Sequence, residues 1–299
     1  TLENNPAIIH GGPFANIAHG CNSILATKTA LKFADYVITE AGFGADLGAE
    51  KFLNIKCRKA GLKPKAAVVV ATVKALKLHG DIEEKDLKEE NLEALAKGVQ
   101  NLEKHIENLR KFNLPIVVAL NVFVTDTEKE LAFLENWAKE QGVEFSRTEV
   151  WEKGGLGGVD LAEKVVKAVE GNDKELQLLY KDEASITEKI ETVCREIYGA
   201  DGVNFSDEVK AEIERIERLG FKDLPVCMAK TPASLTDNAK IKGRPTGFNI
   251  TINDVKLRSG AGFVVAYANK VLTMPGLPKV PSALNIDIDE ETETIIGIF

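Results

Sequence analysis

Residues 39–52 read Thr-Glu-Ala-Gly-Phe-Gly-Ala-Asp-Leu-Gly-Ala-Glu-Lys-Phe. Gly42 and Gly44 bracket Phe43 in a turn that follows an apolar stretch (Tyr36, Val37, Ile38) and precedes a helical pattern. Glycine lets backbone approach a ligand closely, and a helix starting there aims N–H groups at it. An aromatic side chain on such a turn buries nothing locally unless something packs on it, so Phe43 is a candidate ligand contact. Gly42, Gly44 and Gly48 give G-x-G-x-x-x-G, close to a dinucleotide fingerprint. That spacing leaves two readings open, an NADP-type nicotinamide cofactor and plain strand–helix packing.

Further segments could carry chemistry. His10 to Ser23 holds two histidines and Cys21, but H-x8-H-x-C is no standard zinc spacing and no C-x-x-C accompanies it. Its Gly11-Gly12-Pro13 turn either starts a helix that faces a ligand or starts one with His19 in the core. Val70 to Gly80 reads as a buried strand ending in Lys74, Lys77 and His79. Cations at the carboxyl end of a parallel strand suit a phosphate or carboxylate; the alternative is solvated loop charge. Phe123 follows a second buried strand, and Trp151 precedes the turn Gly154-Gly155-Leu156-Gly157-Gly158. Two loop aromatics can clamp a flat heteroaromatic ring, at about 1–3 kcal/mol per stacked face, or each can cap its own core. Trp137, mid-helix beside Phe133 and Leu134, reads as core. No G-x-x-x-x-G-K-[ST] loop, G-x-S-x-G elbow or nucleophile–base pair is present. The residues alone describe an α/β domain with a site for a planar, anionic ligand.

The elements that must position these residues alternate. A helix is expected over 15–34, a strand over 35–39 and a helix over 45–60 that ends near Gly61. Ala66–Val73 is a continuous apolar run of the kind that suits a parallel strand buried on both faces. Leu92, Leu95, Val99, Leu102, Ile106 and Leu109 mark a long amphipathic helix. Pro115–Phe123 is a second buried strand, after which Thr125 or Asp126 can cap a helix that Gly142 ends. Strand and helix in this order call for a right-handed parallel sheet. Charged helices near 185–198 and 207–219 then lead to a short strand at 224–229, a β-rich stretch over 248–273 and a terminal hairpin turning near Asp289-Glu290. A domain change is expected near residue 122.

The chain has 299 residues, 44% hydrophobic and 28% charged, which is ordinary for a globular protein. Its 38 basic and 46 acidic side chains give a net charge of −8, which opposes a general nucleic-acid surface. No apolar run reaches membrane-spanning length and no secretory signal opens the sequence. Four cysteines without paired spacing read as reduced, mostly buried thiols of a cytoplasmic protein. The opening Thr1-Leu2-Glu3-Asn4-Asn5 does not resemble a domain start and reads as a piece of a longer polypeptide.

Together, His10–Ser23, Glu40–Phe52, Val70–Gly80, Asn121–Thr127, Trp151–Gly158, Tyr198–Val203 and Met274–Lys279 resemble formate–tetrahydrofolate ligase (10-formyltetrahydrofolate synthetase), in family order and over roughly the carboxyl-terminal half of the family's length. Val70–Asp81 resembles a family signature, with Lys74 where the pattern has arginine and Asp81 where it has a second glycine. The resemblance implies a parallel-sheet, P-loop-NTPase-like core over residues 1–122, its phosphate loop lying upstream, followed by an α+β domain over 123–299. It implies ATP with Mg²⁺, formate and tetrahydrofolate as small-molecule ligands, leaves room for a monovalent cation, and suggests a homotetramer. Formate attacks the γ-phosphate, and the N10 amine of tetrahydrofolate then attacks formyl phosphate and expels phosphate. By the same resemblance Phe123 and Trp151 match the aromatic pair that sandwiches the pterin, although Val124 stands where the family usually has proline. Phe43 matches the aromatic lining the active cleft, with Glu40 and Asp46 as candidate polar contacts at its base. The phosphate loop and the arginine that holds formyl phosphate belong to the upstream half, so the isolated chain is expected to be inactive. An alternative is a non-catalytic, folate-binding fragment.

Overall fold

The computed structural model describes residues 1, 3–9, 14–269, 271, 273–274, 278–289, 291 and 294–297. Residues 10–13, expected as a turn, residues 275–277, and Glu290, expected in the terminal turn, therefore lie outside the described residues.

The Ser23 hydroxyl accepts the N–H of Ala26 and starts helix α1 (Ile24–Phe33). The helix expected over 15–34 is only its second half. Ile17 closes a turn onto the Phe14 carbonyl at 3.2 Å, and Ser23 is the first residue to satisfy an orphan helical N–H. Residues 35–39, expected as a strand, form no ladder among the described residues; the nearby bridge joins Cys21 to Ala41. Ile38 is 91% exposed, and β-favouring residue types without a partner strand do not make a strand. The helical run over 45–60 is present. It is wound with wide π turns over Ala45–Ala49 and Phe52–Cys57, finishes as α2 (Arg58–Ala60), and stops at Gly61 with φ 65°.

β1 (Ala67–Ala71) leads into α3 (Val73–His79) and α4 (Leu92–Arg110). β2 (Ile116–Asn121), α5 (Glu128–Glu140) and β3 (Glu144–Thr148) follow, then the single turn α6 (Val150–Lys153) and α7 (Val159–Glu170). The three strands form a parallel sheet in the order β1-β2-β3. β2 is the buried strand its composition predicts. β1 is not buried on both faces: it is an edge strand whose Val70 is 69% exposed. Thr127, rather than Thr125 or Asp126, caps α5, in a reciprocal capping box with Glu130. Glycine sets the approach of α3 to α4. A Cβ on Gly98 would lie 1.8 Å from the Leu76 carbonyl oxygen, and one on Gly80 would lie 2.0 Å from that of Ala94.

The second half adds α8 (Ile186–Val193), β4 (Gly202–Phe205), α9 (Asp207–Ile216), β5 (Val226–Ala229), β6 (Asn249–Arg258) and β7 (Phe263–Ala268). Their strands form a mixed sheet in the order β4-β6-β7-β5, antiparallel only between β6 and β7. β8 (Asp287–Asp289) and β9 (Thr294–Ile296) make the expected hairpin. One continuous apolar core runs from Leu53 and Cys57 through β2 to α8, β5, β6 and β7. A second cluster joins Ala18, Ile55, Cys227, Ala229, Phe263 and Val265, so the 45–60 helix sits in both. All four cysteines are buried free thiols. Among the described residues no helix is long and apolar enough to cross a membrane. The architecture is α/β.

Candidate functional site

The register of the parallel sheet sets β1, β2 and β3 side by side at their carboxyl ends. Ala71 pairs with Leu120, Asn121 pairs with Thr148, and the Val122 N–H reaches the Thr148 carbonyl at 3.0 Å. The chain therefore leaves the three strands toward Lys74, Phe123 and Trp151 along one sheet edge, where open parallel sheets bind ligands. Phe123 is 39% exposed, and its N–H donates to Asp126 Oδ2 at 2.9 Å. Burial pushes the Asp126 carboxyl above its ordinary range, against that bond. The Lys74 ammonium lies 4.7 Å from the centre of the Phe123 ring, a cation–π distance. Trp151, 70% exposed, sits on α6 just before the glycine turn. That turn folds back so closely that a Cβ on Gly157 would lie 2.4 Å from the Glu149 carbonyl oxygen.

The other two cations expected at this edge are used inside the protein. Thr72 caps α3 at this point, so Lys77 lies on a helix rather than a loop. Its ammonium pairs with Glu130 at 2.8 Å, both side chains sealed from solvent, and also donates to the Glu89 carbonyl at 2.9 Å. His79 accepts the Gly243 N–H on Nδ1 at 3.1 Å, and burial brings its pKa down to about 4, so it is neutral. Of the three, Lys74 is the one whose side chain lies at the edge beside Phe123. His19 is half-buried and packs edge-on against Phe263 at 6.3 Å. Among the described residues no group of three or more His, Cys, Asp and Glu side chains converges to hold a metal ion.

The Gly42-Phe43-Gly44 turn is a second, separately built feature. Phe43 is 44% exposed, meets Phe14 edge-on at 6.2 Å, and has φ 68°, the left-handed region that bulky residues avoid. Gly42 donates to the Gly20 carbonyl at 2.9 Å, and a Cβ on Gly48 would lie 1.9 Å from the Gly42 oxygen. The glycine spacing thus serves close packing of turn on helix. Glu40 is on the surface. Asp46 is not: it is buried beneath the turn and bound to the Lys230 ammonium at 2.8 Å. Burial alone would raise the Asp46 carboxyl, but Lys230 and His105 outweigh it and hold it below the ordinary range. Further along the same helix Glu50 is fully buried with Asn54 on one oxygen, and burial raises its pKa to about 7.

Sequence reasoning missed Lys230 and Asp126. Lys230 follows a four-residue buried strand, β5, and a cation directly after such a strand was the available signal. Asp126, offered by the sequence with Thr125 as a helix cap, lies three residues after Phe123 and accepts that residue's N–H instead. A family model described as formate–tetrahydrofolate ligase matches residues 1–299, the full length of this sequence, and the chain belongs to that family.

Proposed function

We propose that this chain carries the folate side of an ATP-dependent formate–tetrahydrofolate ligase, with Phe123 and Trp151 gripping the pterin ring. The observation that carries the reading is the alignment of β1, β2 and β3, which sends two solvent-facing aromatics and one lysine out along a single edge. On the same reading Phe43, on its separately built turn, is a further contact for the bound substrate, and Glu40 is the surface carboxylate nearest that turn in sequence. In the complete reaction a formate oxygen attacks the γ-phosphorus of ATP and ADP leaves. The N10 amine then attacks the formyl carbon of the mixed anhydride, phosphate leaves, and the amine loses its proton. The anhydride is labile to water, so a stacked pterin at the cleft also serves to exclude water from it. ATP would supply the phosphoryl group and Mg²⁺ would neutralise its phosphate charge during transfer. The sequence contains no phosphate-loop pattern and the described residues offer no metal cluster. On this reading nucleotide activation falls to polypeptide outside these 299 residues. Homotetrameric assembly in the cytoplasm belongs to the same proposal.

Tetrahydrofolate titrated calorimetrically into the purified protein should bind. Trp151→Ala should weaken binding by about 1–3 kcal/mol. Unchanged affinity in that variant, or no binding by the wild type, would remove the stacking site. Formate-dependent ADP release by the pure chain would refute the division of labour.

A further inference from the structure

Phe43 holds an unfavourable backbone conformation on a solvent-facing turn, so something beneath the turn must fix it. Three contacts come from the amino-terminal side: the Gly42 N–H on the Gly20 carbonyl, and the Lys51 ammonium on the Ala15 and Asn16 carbonyls at 2.8 and 2.9 Å. The fourth comes from the other sheet. Lys230, at the carboxyl end of β5, is fully buried, and each of its three N–H bonds has an oxygen: Asp46 Oδ2 at 2.8 Å, the Thr231 carbonyl at 3.0 Å and the Ser234 carbonyl. The ammonium also lies 4.9 Å from the centre of the buried Tyr198 ring, and the Lys230 backbone N–H is held by Asn16 Oδ1 at 3.1 Å. Asp46 in turn packs against the turn itself, where a Cβ on Gly44 would lie 2.6 Å from its Oδ1. A charged Asp46 could not keep that place unpaired at low cost, because a buried carboxylate without a cation is strongly unfavourable.

We propose that Lys230 is a positioning residue for the folate cleft. It acts through Asp46, fixing the Gly42-Phe43-Gly44 turn so that the phenyl ring is held out toward the bound substrate. Asp46 is then the link between the two and does not touch substrate. The inference rests on the reading of Phe43 as a cleft residue. It adds that the second sheet, remote in sequence, sets the shape of the cleft through one ion pair.

The test compares tetrahydrofolate dissociation constants, by calorimetry, for wild type, Phe43→Ala, Lys230→Met, Asp46→Asn and the double variant Phe43→Ala/Lys230→Met. Circular dichroism and thermal melting check that each variant is folded. Asp46→Asn keeps the size of the side chain and covers the case in which Lys230→Met fails to fold. Freeing the turn from its left-handed conformation should weaken binding roughly five- to thirtyfold in Lys230→Met or Asp46→Asn. The Phe43→Ala background should lose nothing further when Lys230 is changed, an outcome that a general loss of stability would not produce. If Phe43→Ala weakens binding while the folded Lys230→Met and Asp46→Asn proteins bind as wild type does, the inference fails and the cleft reading stands. If Phe43→Ala binds as wild type does, the cleft reading of that residue fails. If the Phe43→Ala and Lys230→Met losses simply add, Lys230 does not act through Phe43 and the proposal is overturned.

Discussion

Replacing Lys77 by methionine should destabilise the protein by about 3–5 kcal/mol, the typical cost of stranding one member of a buried ion pair. The structure supplies the reason for placing it in that range. Glu130 is fully buried, and Lys77 is 1% exposed. One Glu130 oxygen accepts from the Lys77 ammonium at 2.8 Å and from the Asn91 N–H at 3.1 Å, and the other accepts from the Thr127 N–H at 3.1 Å. The single carboxylate thus joins α3 to the starts of α4 and α5. Methionine fills most of the volume of the lysine stem, so little of the loss comes from a cavity. What remains is a buried anion with two amide donors and no cation. Urea unfolding followed by circular dichroism should show a midpoint lower by roughly 1 M or more, given slopes of about 1–3 kcal/mol per molar urea. Changing Glu130 to leucine as well should not restore the wild-type midpoint. The Asn91 and Thr127 amides would then lose their acceptor, at about 1–3 kcal/mol for each group left unsatisfied. A Lys77→Met midpoint equal to that of wild type would refute the reasoning, since the pair would then contribute no more than apolar side chains of the same size.

Burial lifts the Glu50 carboxyl to about 7 from an ordinary 4.5, against the Asn54 bond and the Lys51 and Arg58 charges. The folded state therefore keeps a proton that the unfolded chain releases. This group's contribution falls as pH rises from about 4.5 to 7 and is flat above, a loss on the order of 3 kcal/mol. Glu50→Gln should flatten that part of the stability profile, measured as urea midpoints at pH 5 and pH 8; identical slopes in both proteins would contradict it. Lys74→Met should weaken tetrahydrofolate binding by about 0.5–2 kcal/mol through loss of the contact that steadies the Phe123 ring, while Lys74→Arg retains it. Calorimetry reads both, and full affinity in Lys74→Met would mean that the ring needs no such support. Gly98→Ala should lower the thermal midpoint by forcing α3 away from α4, at about 1–3 kcal/mol, and an unchanged midpoint would mean that the crossing yields without cost.

Where a segment's chemistry is local, the sequence was readable. Ile116–Asn121 is apolar throughout and became the central strand; Leu92–Arg110 has a single apolar stripe and became the long helix. β3 was not anticipated, because Glu144-Phe-Ser-Arg-Thr148 carries polar groups whose partners are distant in the chain. The Ser146 hydroxyl is held by Asp160, and Arg147 is gripped by Glu128 and Glu135. Residues 35–39 failed in the opposite sense, their composition favouring a strand that no neighbour among the described residues completes. At the site, Phe43, Phe123 and Trp151 were legible as aromatics on glycine-rich or strand-end loops, and all three face solvent. The fate of the charges was not legible. Whether Lys77 or Lys74 stays at the surface depends on Glu130 and Phe123, some fifty residues away, and the partner of buried Asp46 is a lysine just past β5, far along the chain.

The continuity of the main apolar core across both sheets bears on how the molecule can be divided. A cut after residue 122 would separate β2 from β3 within one hydrogen-bonded sheet and would divide the apolar core to which Leu120, Leu134 and Ile197 all belong. Neither product would retain a closed interior, so expression of either piece by itself should yield insoluble or protease-sensitive material. Heating the intact chain should likewise produce one melting event.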